Sequence, residues 1–163
     1  MFDQAALGTT MLEVGPGPGG ATDLLRHKVD TLHTVEQDAE AAAKLAARFP
    51  EQNVQITHGD ATNLPFAADT FDSAGSFTML HHLPTAAAQN RMLAELLRVL
   101  RPGCPLIASD SLPSDGLHHF HENDTYNPVE PATLLTRLQT IGYVNITLRV
   151  HDRLSVIAHK PSP

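Results

Sequence analysis

The 163-residue chain has a single cysteine, Cys104. That excludes an intramolecular disulfide framework and a zinc site built on cysteines, and it points to a reducing, cytoplasmic setting. Tryptophan is absent and only 5 % of residues are aromatic, so nothing indicates a large planar ligand held between rings. No uninterrupted apolar run approaches the roughly 18 residues that a membrane span needs. The opening MFDQAALGTT has neither the basic start nor the apolar stretch of a signal peptide. No Lys/Arg-rich tract occurs, and 11 Lys and Arg stand against 18 Asp and Glu, a net charge of −7. Nucleic acid and anionic membrane are therefore not expected partners.

What is present is globular. Apolar residues make up 42 % and charged residues 18 %, enough to bury a core in one domain covering residues 1–163. Short apolar runs alternate with amphipathic segments. Met11–Val14, Thr31–Glu36, Val54–Thr57, Phe71–Thr78 and Pro105–Ser109 read as strands. Between them the pattern predicts a helix to about Lys28 capped by Thr22 or Asp23, and a second capped by Asp38. A longer one runs from Thr85 to Leu100. After a polar, His-rich stretch, a helix opening at Glu130 or Pro131 precedes two strands, Tyr143–Val150 and Leu154–His159, joined by a turn at His151-Asp152-Arg153. The order predicts an α/β fold: a Rossmann-like, doubly wound sheet, mostly parallel, with an antiparallel C-terminal strand. In such sheets ligands lie outside the carboxyl ends of the strands, where strand order reverses.

The loop after the first strand reads Glu13-Val14-Gly15-Pro16-Gly17-Pro18-Gly19-Gly20. Gly15, Gly17 and Gly20 fit GxGxxG, and Gly15, Gly17 and Gly19 fit a tighter GxGxG. A strand before and a helix after make it a ligand-binding loop rather than a plain turn. Pro16 and Pro18 remove two N–H donors and Glu13 adds a carboxylate, a poor cradle for a diphosphate. The loop suits a ligand with a cationic end and no phosphate. Glu36, ending the second strand, stands close to the spacing at which an acidic residue meets ribose hydroxyls. Asp60, ending the third, can accept from an adenine amino group or make an Asx turn with its own backbone.

Together these residues resemble the class I S-adenosylmethionine-dependent methyltransferases, notably the type 11 methyltransferase family. LEVGPGPG is similar to the family's first motif, VEQD to its second, and GDATNLPFAADTFD to its third. SFTMLHHL is similar to the fourth, and LLRVLRPGCPL to the helix and strand after it. The resemblance implies S-adenosyl-L-methionine as cofactor. It implies that Glu13, Gly15, Pro16, Gly17 and Gly19 hold the methionine end, Glu36 the ribose and Gln37 the flank of the adenine. Asp60 and Ala61 would read the adenine edge, and Phe77 and Thr78 would close the methionine side. Leu64-Pro65-Phe66 is similar to a family segment lying near the cofactor. Asp72 is implied to be structural, on the far side. Family members carry a helix or two before the first strand, whereas ten residues precede Met11 here. That short N-terminus predicts a more open pocket. It also predicts a two-fold homodimer packed through Met1, Phe2, Ala5, Ala6 and Leu7, the alternative being a monomer whose first ten residues fold over its own cofactor site.

Methyl transfer from a sulfonium asks the protein mainly to position and desolvate the reactants. A base is needed where the acceptor must lose a proton. His82 is the candidate catalytic residue and substrate contact, with His121 and Tyr126 as further acceptor contacts. The alternative for His81 and His82 is packing beneath, or capping, the following helix. His118-His119-Phe120-His121 matches no metal-site spacing, so no metal is expected. The expected function is transfer of a methyl group to a small-molecule substrate. Two rivals remain: a nicotinamide-dependent oxidoreductase, and a cofactor-binding module without turnover.

Overall fold

The computed structural model describes residues 5–50, 53–112 and 125–163. The apolar runs form seven strands: β1 (Thr10–Val14), β2 (Thr31–Glu36), β3 (Val54–His58), β4 (Ser73–Phe77), β5 (Pro105–Asp110), β6 (Val144–Val150) and β7 (Leu154–His159). They make one sheet in the order β3-β2-β1-β4-β5-β7-β6. The first five strands pair in parallel, and β7 runs antiparallel to both of its neighbours. The helices are α1 (Gly20–Leu25), α2 (Ala39–Arg48), α3 (Ala86–Val99) and α4 (Pro131–Ile141), with a 3-10 turn at Leu80–His82. The α/β, doubly wound, mostly parallel expectation is met.

Alternation along the strands sends side chains to two cores, as a period of two requires. Leu12, Ala74, Leu106 and Ala108 pack with Met92, Leu93 and Leu96 of α3 and Leu134 and Leu138 of α4. Met11, Leu32 and Ile107 pack on the other face with Leu25, Val29 and Leu7. Leu7, expected at a dimer contact, is therefore buried in the chain's own core, with Ala5 packed against the same cluster.

Several boundaries differ from expectation. Helix α1 starts at Gly20 with Gly19 as its left-handed N-cap, because the Thr22 hydroxyl donates instead to Glu13 Oε2 at 2.7 Å. Strand β4 is shorter than predicted. Phe71 makes only an isolated bridge with Leu100. The Asp72 carboxylate accepts from Thr9 N, Thr9 Oγ1 and Thr10 N and pairs with Arg101, which pins the start of β1. Within β4, Gly75 is required by packing: a Cβ there would lie 2.6 Å from the Phe77 ring and 2.8 Å from Met11. Asp38 and Thr85 cap α2 and α3 by accepting from Ala41 N and Ala88 N. That leaves the α3 start to Thr85 rather than to either histidine.

The chain runs β1, β2, β3 toward one edge and then jumps back to β4 on the far side of β1. Strand order thus reverses between β1 and β4. The loops after those two strands open a crevice at the carboxyl edge, where open α/β sheets bind ligands.

Candidate active site

A cavity of about 420 Å³ opens at that crevice, within the roughly 300–1,000 Å³ typical of small-ligand sites. Of the residues singled out from the sequence, Gly15, Pro16, Gly17, Glu36, Gln37, Asp60, Ala61, Phe77, Thr78 and His82 all line it. Pro18, singled out from the sequence for its missing N–H, lines it too, as do Val35, Gly59, Met79 and Leu83, which were not named as site residues. Met79 and Leu83 lie within SFTMLHHL, the segment whose resemblance could have found them. Gly15 holds φ +62°, and a Cβ there would lie 2.1 Å from Met79 Cγ, which is why glycine faces it.

The strand ends are laced together around the cavity. Gly15 N donates to Val35 O at 2.9 Å and Gly59 N to Glu36 O at 2.9 Å. The Glu36 carboxylate accepts from Gly17 N at 3.3 Å and from Asp38 N at 3.0 Å. It is half-buried and tied to the glycine loop, not a freely solvated strand end. Each carboxylate oxygen keeps a further lone pair for a vicinal diol. Asp60 makes an Asx turn, accepting from Thr62 N at 2.7 Å and Thr62 Oγ1 at 2.9 Å, while also facing the cavity. His58 Nε2 lies 3.0 Å from Gln37 O and fixes that backbone.

A second cavity, about 460 Å³, adjoins the first and shares Pro16, Pro18, Phe77 and Thr78 with it. Glu13 lines this one and not the first. Glu13 is 1 % exposed, and burial pushes its carboxyl up to about 7, against the lowering hydrogen bond from Thr22. Gly19 lines neither cavity. Its Cβ position is closed by Leu45 of α2 and by Phe49 at that helix's C-cap, so packing requires glycine there. Thr78 holds φ +55°, rare for a β-branched residue, and its N–H donates to Ser109 O at 2.7 Å.

The two histidines divide. His82 is exposed at the cavity rim. His81 is buried, its Nδ1 2.6 Å from Asp110 Oδ1 and its N–H 3.2 Å from Asp110 Oδ2. The two rings lie 4.2 Å apart. Tyr126 lines neither cavity and sits edge-on to His81 at 5.8 Å. His121 and the His118–His121 run lie outside the described residues. Leu64-Pro65-Phe66 also lines neither cavity: Glu95 and Arg98 of α3 hold it through Leu64 N, Leu64 O and Phe66 O. Cys104 lies on the opposite sheet edge, at the start of β5. Burial and Asp72 push its thiol up against the opposing Arg101, so it stays protonated and unreactive.

The donor set separates candidate ligands. Pro16 and Pro18 have no N–H, and the N–H groups of Gly15, Gly17 and Gly19 are all engaged, on Val35 O, Glu36 and Pro16 O. Nothing in residues 15–19 is left to cradle a diphosphate. Gly17 has φ +52° and open space where a Cβ would stand, so a ligand can lie directly against the backbone.

Comparison with known proteins agrees with this geometry. Residues 12–108 match the family model described as "Methyltransferase domain". The phthiotriol/phenolphthiotriol dimycocerosates methyltransferase 1 of Mycobacterium ulcerans is 32 % identical over 127 residues, 75 % of this chain and 45 % of that protein. The (+)-O-methylkolavelool synthase of Herpetosiphon aurantiacus is 29 % identical over 146 residues, 85 % of this chain and 49 % of that protein. The chain thus spans about half the length of these curated relatives. A SAM-dependent methyltransferase of Aquifex aeolicus superposes with a TM-score of 0.78 at 18 % identity, over 98 % of this chain and 87 % of that one. The family match, the motif-bearing loops around one crevice and the shared fold together show that the chain belongs to the class I S-adenosylmethionine-dependent methyltransferases.

Proposed function

We propose that the chain binds S-adenosylmethionine across the two adjoining cavities and transfers its methyl group to a small-molecule hydroxyl. The observation that carries this reading is the loop of residues 15–19, which leaves no N–H for a diphosphate beside a Glu36 carboxylate able to take a diol. When bound, the cofactor supplies an activated methyl on a sulfonium. Glu36 orients the ribose, Gln37, Asp60 and Ala61 flank the base, and Thr78 and His82 stand at the rim where an acceptor enters. His82 accepts the proton that the acceptor hydroxyl loses as its oxygen bonds the methyl carbon. The cofactor would supply the methyl group and keep the S–CH3 electron pair on its sulfur. His81, stacked on His82 and held by Asp110, keeps that ring in place. The hydroxyl class is favoured by the exposed histidine and by two relatives whose names specify a triol and an O-methyl product.

The test is formation of S-adenosylhomocysteine when the protein is incubated with S-adenosylmethionine and a panel of lipophilic alcohols. Turnover with at least one alcohol, lost in His82→Ala while cofactor affinity is kept, is the expected result. Cofactor binding without methylation of any alcohol, amine or carbon acid would favour the module without turnover.

A further inference from the structure

We infer that Arg153, in the turn between β6 and β7, binds the carboxylate of the cofactor's amino-acid end. This inference rests on the reading that the chain binds S-adenosylmethionine. That ligand ends in an ammonium and a carboxylate, and both need partners. The second cavity holds one group of each sign, the carboxylate of Glu13 and the guanidinium of Arg153. It shares Pro16, Pro18, Phe77 and Thr78 with the cavity that contains Glu36, so one extended ligand can occupy both.

Arg153 adds a cation where the glycine loop itself offers no donor; the backbone N–H groups on this cavity without an intrahelical acceptor are those of Gly20 and Ala21, at the start of α1. A ligand carboxylate at a strand-to-helix turn ordinarily takes backbone N–H groups. Here two positions are proline, and the N–H groups of Gly15, Gly17 and Gly19 already have acceptors. The register of β7 on β5 places Leu154 opposite Asp110. The residue before Leu154 is therefore carried to the carboxyl edge of β5, beside the site. Arg153 is exposed there, and its guanidinium makes no hydrogen bond or ion pair with any described residue. Its planar fork matches a carboxylate in two-point contact. Glu13, with Oε2 held by Thr22, faces the same space for the ammonium. The pair would select for the intact amino-acid end.

The experiment is calorimetric titration of the full chain with three ligands. S-adenosylhomocysteine has both charged groups, decarboxylated S-adenosylmethionine keeps only the ammonium, and 5′-methylthioadenosine has neither. Arg153→Gln should weaken S-adenosylhomocysteine about 10- to 100-fold, the worth of a charged hydrogen-bonded contact. It should leave the other two unchanged, and Arg153→Lys should recover part of the loss. Unchanged binding of S-adenosylhomocysteine to Arg153→Gln, or an equal loss for all three ligands, overturns the role of Arg153. In that case wild-type affinity for the nucleosides leaves the cofactor reading intact. Wild-type protein that binds none of the three overturns both.

Discussion

Glu36 and Glu13 are both acidic and both near the site, yet their environments give them different tasks. Glu36 is half-buried and accepts two backbone N–H groups, one of them from the glycine loop. Glu36→Ala should weaken S-adenosylhomocysteine by about 1.5–3 kcal/mol, the range for hydrogen bonds to a charged group. It should also lower stability without ligand, because Gly17 and Asp38 lose their acceptor, and paired titration and thermal melts would read both effects. Glu13 is buried, with its carboxyl pushed up to about 7 from a usual 4.5. Folding therefore favours its protonated form. The associated stability is complete below about pH 4.5 and is lost as pH rises through about 7. Glu13→Gln should match wild type near pH 4 and exceed it at pH 8 by an amount on the order of 2–3 kcal/mol. The same variant should bind S-adenosylhomocysteine more weakly at pH 8, where an ammonium would otherwise face a carboxylate. Denaturation midpoints against pH test the first claim, and a wild-type curve with no fall between pH 5 and 7 would contradict it.

At the scale of elements, the site depends on how the turn after β4 is tied to the end of β5. Asp110 accepts from His81 N, His81 Nδ1 and Ser111 N. Gln89 Nε2 of α3 donates to Leu80 O and Asn127 O, and Asn127 N donates to His81 O. Asp110→Ala would strand two or three buried donors, at about 1–3 kcal/mol for each left unsatisfied. The expected result is a clear drop in melting temperature together with lost methyl transfer, as His82 moves with the turn. This network was not legible in the sequence, because Asp110, Gln89 and Asn127 lie far apart in the chain and carry no periodic signal. The elements themselves were legible. Spacing of apolar residues located every strand and the longer helices, and Asp38 announced its own cap. The sequence misplaced the edges. Thr22 reads as a helix cap only until a buried Glu13 competes for its hydroxyl. Phe71 and Asp72 look like strand until Asp72 is seen holding Thr9 and Thr10. Glycine spacing gave the binding loop, but nothing local distinguished Gly17, which faces open space, from Gly19, which packs on α2.

For the whole molecule, one topological fact organises the rest. The reversal of strand order between β1 and β4 opens a crevice, and the loops after the first four strands all reach it. Both cavities lie there and share a wall. Among the described residues no helix is long and apolar enough to cross a membrane. Of the N-terminal residues expected at a contact between two copies, Ala5 and Leu7 pack on the chain's own core, Ala6 is exposed, and Met1 and Phe2 lie outside the described residues. The central claim is that the crevice accepts a sulfonium nucleoside and refuses a dinucleotide. Titration of the wild-type chain with S-adenosylhomocysteine and with NADH under one set of conditions tests it most directly. The account predicts saturable, one-to-one binding of S-adenosylhomocysteine, weakened in Glu36→Ala, and much weaker binding of NADH. Tighter binding of NADH, or no binding of S-adenosylhomocysteine, would contradict it.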